Sequence, residues 1–420
     1  MLKFKLFYYF SARNHFYQFI MHPIKKGLLL TLMLFICSTV IYAGNKDEEG
    51  YKFEIIKELA HTTVKNQFRS GTCWSFAGMS FFEAEMLRMG KPEVDLSEMF
   101  EVSHCYRDKA VKYVRMQGNI SFGPGGELFD DLYVLSNYGL VPENAFPGIQ
   151  YDEEKHVHGE MDEVLKKMVD AVVENKNKKL TSVWDKAFNS TLDAYLGDLP
   201  AEFTYEGKSY TPKKFASDYC GINPNDYVQI TSFTHHPFYQ PFILEVSDNW
   251  LWSQFYNVPL DELQEIVDNS IQKGFSVLWA ADVSDKGFAT TLKNIAVVPE
   301  KIPANMTGAE IAKWDSLSEK DKEASIYKFE KPGKERVITQ DIRQIAFDNL
   351  ETTDDHAMHL IGLAKDQNGT IYYKVKNSWG NYNKLKGYFY ASQPYLRYKT
   401  TAVMVNKAAI PEVIRKKLKL

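Results

Sequence analysis

From Cys73 the chain reads CWSFAGMSFFEAEMLRMG, with apolar residues at Phe76, Met79, Phe82, Met86 and Met89. A return every three or four positions predicts a helix, and Gly90 closes it as a helix stop. Similar patterns predict helices around Leu96–Arg115 and Gly126–Tyr138, joined by the glycine-rich turn SFGPGGE. A loop with Pro142 and Pro147 follows. Further amphipathic helices are expected in GEMDEVLKKMVDAVVENKNKK from Gly159 and in PLDELQEIVDNSIQKG from Pro259 to Gly274.

The period then changes. FSVLWAADVS (Phe275–Ser284) is an apolar run of strand length, and HAMHLIGLAKDQNGTIYYKVKNSWG places two apolar strands around Asn368-Gly369, the strongest short hairpin signal. GYFYAS (Gly387–Ser392) adds another strand, while residues 44–60 read as a polar lead-in. Helices first and strands last make an α+β chain. Between about Asp152 and Asp248 the composition turns charged and mixed, the mark of an inserted, mostly helical region.

Composition narrows the class. At 420 residues and 48.4 kDa the chain can build a large core, and 45% apolar with 25% charged residues is a globular balance. A net charge of −4 gives no global field for nucleic acid, and only the tail IRKKLKL (Ile414–Leu420) is basic. From Met21, Lys25 and Lys26 precede an apolar run from Gly27 to Cys37, and IYAG ends in a small residue at Ala43. That is the layout of a secretory signal over residues 21–43, behind an N-terminal extension over residues 1–20 and cleaved after Ala43, so a periplasmic or secreted location is expected in preference to a membrane anchor. Cleavage leaves Cys73, Cys105 and Cys220, an odd set that is no disulfide framework.

A free thiol can be a core residue or a nucleophile. Cys73 opens its predicted helix, where unpaired N–H groups and the dipole favour an anion and lower a thiol's pKa. A nucleophilic thiol also needs a base, a group that orients the base, and donors for an oxyanion. His356 heads a predicted strand, Asn377 lies across the hairpin in KNSWG, and Gln67 stands six residues before Cys73. His359, three positions after His356, is expected on the opposite strand face, in the core. His156 and His158 with Glu160, and the pair His235-His236, lack a convincing zinc spacing, so no metal and no cofactor are expected.

Gln67, then Cys73-Trp74, then His356-Ala357, then Asn377-Ser378-Trp379-Gly380 resemble the ordered motifs of the papain-like cysteine peptidases. The resemblance spans about residues 55–405. It implies a two-lobed α+β fold, with Cys73 as nucleophile, His356 as general base and acid, and Asn377 holding the imidazole. Gln67 and the Cys73 N–H would form the oxyanion hole, with Gly125, Gly126 and Trp379 lining the substrate site.

Two departures are visible. Ser70 stands where the family carries a cysteine, and His356 follows Cys73 by 283 positions, about twice the usual roughly 130–150. Both resemble the branch of bleomycin hydrolase and bacterial aminopeptidase C, which lacks those disulfides and carries a helical insertion. The resemblance implies a helical lobe over 44–151, the insertion over 152–258, a β-rich lobe over 259–405 and a tail over 406–420. It also implies peptide substrates, a homo-hexamer, and an aminopeptidase whose terminal carboxylate holds the substrate's free amine. This tail, basic near its end, differs from the apolar tails of that branch, which leaves a cysteine endopeptidase or dipeptidyl-type peptidase open. A peptide-binding protein without turnover is the alternative of another class.

Overall fold

The structure is a computed structural model that describes residues 50–177, 179–301 and 307–420. The N-terminal extension and the export signal read over residues 21–43, with Cys37, lie outside them.

Helix α1 (Cys73–Arg88) is buried from Trp74 to Met86 on every side, so it forms the axis of the molecule. It packs against α2 (Glu98–Arg115), α3 (Leu128–Asn137) and the sheet. The two carboxylates this buries are satisfied locally. Glu83 accepts from the Leu96 N–H and pairs with Lys65 at 3.1 Å, and Glu85 accepts from Arg88, Tyr227 and Asn406. Thr72, the residue before α1, makes no side-chain cap, so the first-turn N–H groups stay free toward the cleft.

Among the described residues the strands form one eleven-stranded sheet and a separate two-stranded hairpin. The strands that matter for the site are β1 (Phe53–Glu58), β2 (Tyr227–Thr231), β3 (Val277–Ala281), β4 (His356–Asp366), β5 (Ile371–Lys376), β6 (Tyr388–Ser392) and β7 (Thr400–Asn406). They run in the order β2–β7–β3–β4–β5–β6, and all these neighbours are antiparallel. The predicted hairpin is β4–β5, and Gly369 supplies its left-handed residue at φ +85°. The first half of β4 pairs with β3 and the second half with β1. The 44–60 segment is therefore not merely a lead-in, because FEIIKE gains backbone partners only from β4 and that pairing is invisible locally.

Helices α4 (Gly159–Val173) and α5 (Val183–Leu196) bury Met161, Leu165, Val169, Phe188, Leu192 and Leu196 in the core on the α1 side. They account for the helical character expected of the insertion. Its last third instead returns to the main sheet as β2 and two short strands, Pro241–Ile243 and Gln254–Asn257. A second core lies on the other sheet face, beneath α6 (Leu260–Lys273) and the final helix α7 (Glu412–Leu418). Cys105 and Cys220 are free and buried. No described helix is long and apolar enough to cross a membrane.

Candidate active site

Cys73 is the first residue of α1 and His356 the first of β4, so the site lies where the central helix meets the sheet. A cavity of about 250 Å³ is lined by Gln67, Cys73, Gly125, Gly126, His356 and Trp379, six of the seven residues singled out in the sequence. The seventh, Asn377, stands behind His356. Its Oδ1 accepts from His356 Nε2 at 2.7 Å, and the Ser378 N–H and Tyr382 hydroxyl fix its amide. The Nε2 proton therefore belongs to that bond, and Nδ1 keeps the lone pair a base needs. Trp379 packs against the imidazole with ring centroids 4.8 Å apart.

Gln67 is held from two sides. Its Oε1 accepts from the Ser378 hydroxyl at 2.5 Å, and Nε2 donates to the Ser70 carbonyl at 2.8 Å. One Nε2 hydrogen remains for the cavity, and the Cys73 N–H has no intrahelical acceptor. Gly125 and Gly126 are required by close approach. A side chain at the first would collide with Asp248, and at the second with Trp74 and Asp130. Trp74 itself is structural, buried and donating to the Pro124 carbonyl at 3.0 Å.

The electrostatics differ from the expectation at Cys73. The helix start, with the N–H groups of Ala357 and Trp74, draws the thiol pKa down, yet burial pushes it up to about 12. Asp354 and Asp248 add to the rise. A helix terminus contributes about 0.3–1 kcal/mol at exposed sites, whereas desolvation of a buried group moves a pKa by as much as roughly 3–5 units. Burial likewise lowers His356 to about 4, against the support of Asn377. Each group alone is thus held neutral. Transfer of the thiol proton to His356 leaves opposite charges in one cavity, and their attraction offsets the burial that opposes either charge alone.

The remaining histidines fall outside the cavity. His359 is buried on the other face of β4, with Nδ1 2.9 Å from the Ser80 hydroxyl. His156 and His158 are buried, and Glu160 accepts from Tyr195. His235 and His236 do meet a carboxylate that chain spacing did not reveal, Glu245, at 3.0 and 2.9 Å. Gln344 donates to His235 Nδ1, so Nε2 carries the proton and donates to Glu245. Glu127, Asp248, Asp354 and Asp355 also line the cavity, beyond the residues expected from the motifs. Three of them adjoin motif residues, directly after Gly125-Gly126 or before His356, and that adjacency was the available signal. Asp248 comes from the insertion and had none.

A thiol at a helix start, an imidazole at a strand start fixed by an asparagine amide, and a glutamine amide beside the thiol define a papain-like cysteine peptidase. The family described as the Peptidase C1-like family matches residues 123–292 and 307–420, and the chain belongs to it. Aminopeptidase C of Streptococcus thermophilus is 21% identical over 405 residues, covering 86% of this chain and 83% of the relative. Aminopeptidase C of Lactococcus lactis subsp. cremoris is 24% identical over 402 residues, covering 86% and 84%. The crystal structure of PepW from Lactobacillus rhamnosis HN001 has the same fold, with a TM-score of 0.63 at 20% identity and coverage of 94% and 93%.

Proposed function

We propose that this protein is an exported thiol aminopeptidase that removes N-terminal residues from peptides. The observation that carries the reading is the convergence of Cys73, His356 and Gln67 on one cavity, with Asn377 holding the imidazole from behind. Cys73 Sγ attacks the carbonyl carbon of the first peptide bond as its proton passes to His356 Nδ1. The tetrahedral oxyanion takes the free Gln67 Nε2 hydrogen and the Cys73 N–H. The C–N bond then breaks, the His356 proton leaves on the amine, and the residue stays as a thioester on Cys73. A water activated by the now neutral His356 attacks that thioester, breaks the C–S bond and returns the proton to sulfur.

The naming of the full-length relatives as aminopeptidases supports exo-cleavage. Residues 21–43 support export, and the sequence resemblance supports a homo-hexamer, which light scattering checks as a mass of six chains. One observation favours an endopeptidase instead, since no residue beyond Trp379 lines the cavity to block it.

The test offers the reduced protein aminoacyl fluorogenic amides and the same panel N-acetylated. Turnover confined to free amines is the expected result. Equal or faster turnover of the blocked panel would make it an endopeptidase, and silence on both panels by a folded protein would leave a peptide-binding role.

A further inference from the structure

The cavity lining contains four carboxyl side chains, Glu127, Asp248, Asp354 and Asp355, and no lysine or arginine. An acidic wall beside a carbonyl-attacking thiol is costly. It raises the thiol's pKa and would repel the developing oxyanion. Its presence calls for a cation that arrives with the substrate.

The four carboxyls are not equivalent. Asp355 is occupied, accepting from the Val283 N–H at 3.2 Å and the Thr353 hydroxyl at 2.6 Å. Asp354 uses Oδ1 for the Thr401 hydroxyl at 3.0 Å. Glu127 is 2% exposed, and its Oε2 takes the Leu128 N–H at 3.2 Å. Its Oε1 has no hydrogen-bond donor among the described residues. Asp354 is its neighbour, so the two carboxyls must share a proton or receive a cation between them. Asp248 lies against Gly125, and among the described residues none donates a hydrogen bond to its carboxylate. The cation nearest it, Lys109, spends its Nζ on the carbonyl oxygens of Gly123 and Gly125.

The C-terminal tail is elsewhere. Ile414 and Leu418 of α7 are buried in the core beneath α6, and Lys417 ties the helix to Glu262 at 2.5 Å. The cavity is also small. Its volume of about 250 Å³ lies below the roughly 300–1,000 Å³ of ordinary ligand pockets, which suits one residue beyond the scissile bond and not an extended segment.

We propose that Asp248, Asp354 and Glu127 bind the substrate's terminal α-ammonium, so that the cleft wall itself, without the chain terminus, makes the enzyme an exopeptidase. This rests on the aminopeptidase reading above. The ammonium has three donors on one compact charge, and the wall offers Glu127 Oε1, the second oxygen of Asp354 and Asp248. A neutral N-acetylated terminus supplies no charge and leaves Glu127, the buried member of the wall, with Oε1 unpartnered.

The test compares kcat/KM on free and N-acetylated aminoacyl amides for the wild type, Asp248→Asn, Asp354→Asn, Glu127→Gln, and a chain lengthened by Gly-Ser after Leu420. In Asp248→Asn the free-to-blocked ratio should fall by about 10–100-fold, mainly through KM on free amines, which is the worth of a charge-assisted hydrogen bond. Glu127→Gln and Asp354→Asn should move the same way, and the lengthened chain should keep the wild-type ratio. A wild type that prefers free amines, with all three variants unchanged, would overturn the wall but not the aminopeptidase. Collapse of the ratio on lengthening the chain would assign the ammonium to the terminal carboxylate. Loss of activity in EDTA, restored by Ca²⁺, would assign the acids to a metal. A wild type indifferent to acetylation would overturn the aminopeptidase reading and this inference with it.

Discussion

Cys73→Ala is expected to abolish turnover while the protein stays folded, and His356→Ala to lower kcat/KM by about 10²–10⁴-fold, the range of a positioned acid–base group. The two variants test different halves of one argument. Burial pushes the Cys73 thiol up to about 12, against ionisation by the helix start alone. The sulfur becomes a thiolate only by handing its proton to His356. Alkylation by iodoacetamide at pH 7 should therefore label Cys73 in the wild type and fail in His356→Ala, with Cys105 and Cys220 protected by burial in both. Asn377→Ala should fall between, because it releases the ring and its tautomer but leaves the base in place. Rapid labelling of Cys73 in His356→Ala would mean that the helix start alone ionises the thiol, and that the dipole outweighs desolvation.

What could be read from the sequence follows how local each cause is. The period of Phe76, Met79, Phe82 and Met86 located α1 almost to the residue, because a helix is made of contacts three and four positions apart. Gly90 and Asn368-Gly369 marked their turns for the same reason, since left-handed backbone is a property of single residues. Cys73, His356, Asn377 and Gln67 were found from their order and flanking residues, although 283 positions lie between the first two. Hidden were the features made only by tertiary pairing. FEIIKE carries no internal reason to be a strand, and β2 completes a sheet whose other members lie far along the chain. Asp248 reaches the cavity from the insertion, and Glu245 reaches His235 and His236 by a turn. The docking of α7 against α6 depends on two apolar residues, Ile414 and Leu418, within a segment that reads as merely basic.

Stability should fall as pH rises from about 7 to 8.5, the reverse of a protein whose carboxylates are salt-bridged. Beneath α1 the side chains of Glu101 and Asp131 meet carboxyl to carboxyl, pressed against Gly78, where a side chain would collide with Asp131. Glu101 accepts from the Ser75 hydroxyl at 2.8 Å, but both Asp131 oxygens lack a donor among the described residues. Burial holds Glu101 up at about 8 and Asp131 well above its usual range, and the neighbouring Asp130 is raised to about 7. Glu98 differs in having Lys65 at 2.7 Å. For a carboxyl whose folded pKa is raised, the native state holds a proton that the unfolded chain has already released. Its stabilisation is therefore complete below the unfolded value and is lost as pH climbs through the folded one. The buried histidines act in the opposite sense, but only below about 6.5, where the unfolded chain protonates and His156 and His158 do not. Above pH 7 the raised carboxyls outnumber Lys376, which burial lowers to about 8 and which acts in the opposite sense only from there. The carboxyls therefore set the slope, at about 1.4 kcal/mol per pH unit for each proton retained. Glu101→Gln removes one of those protons and gives Asp131 a permanent N–H donor, so guanidinium unfolding at pH 7 and 8.5 should show a shallower loss and a more stable protein at the higher pH. An unchanged slope in that variant would mean that Glu101 and Asp131 are already ionised in the native state, and the sign of the pH effect would have to come from other groups.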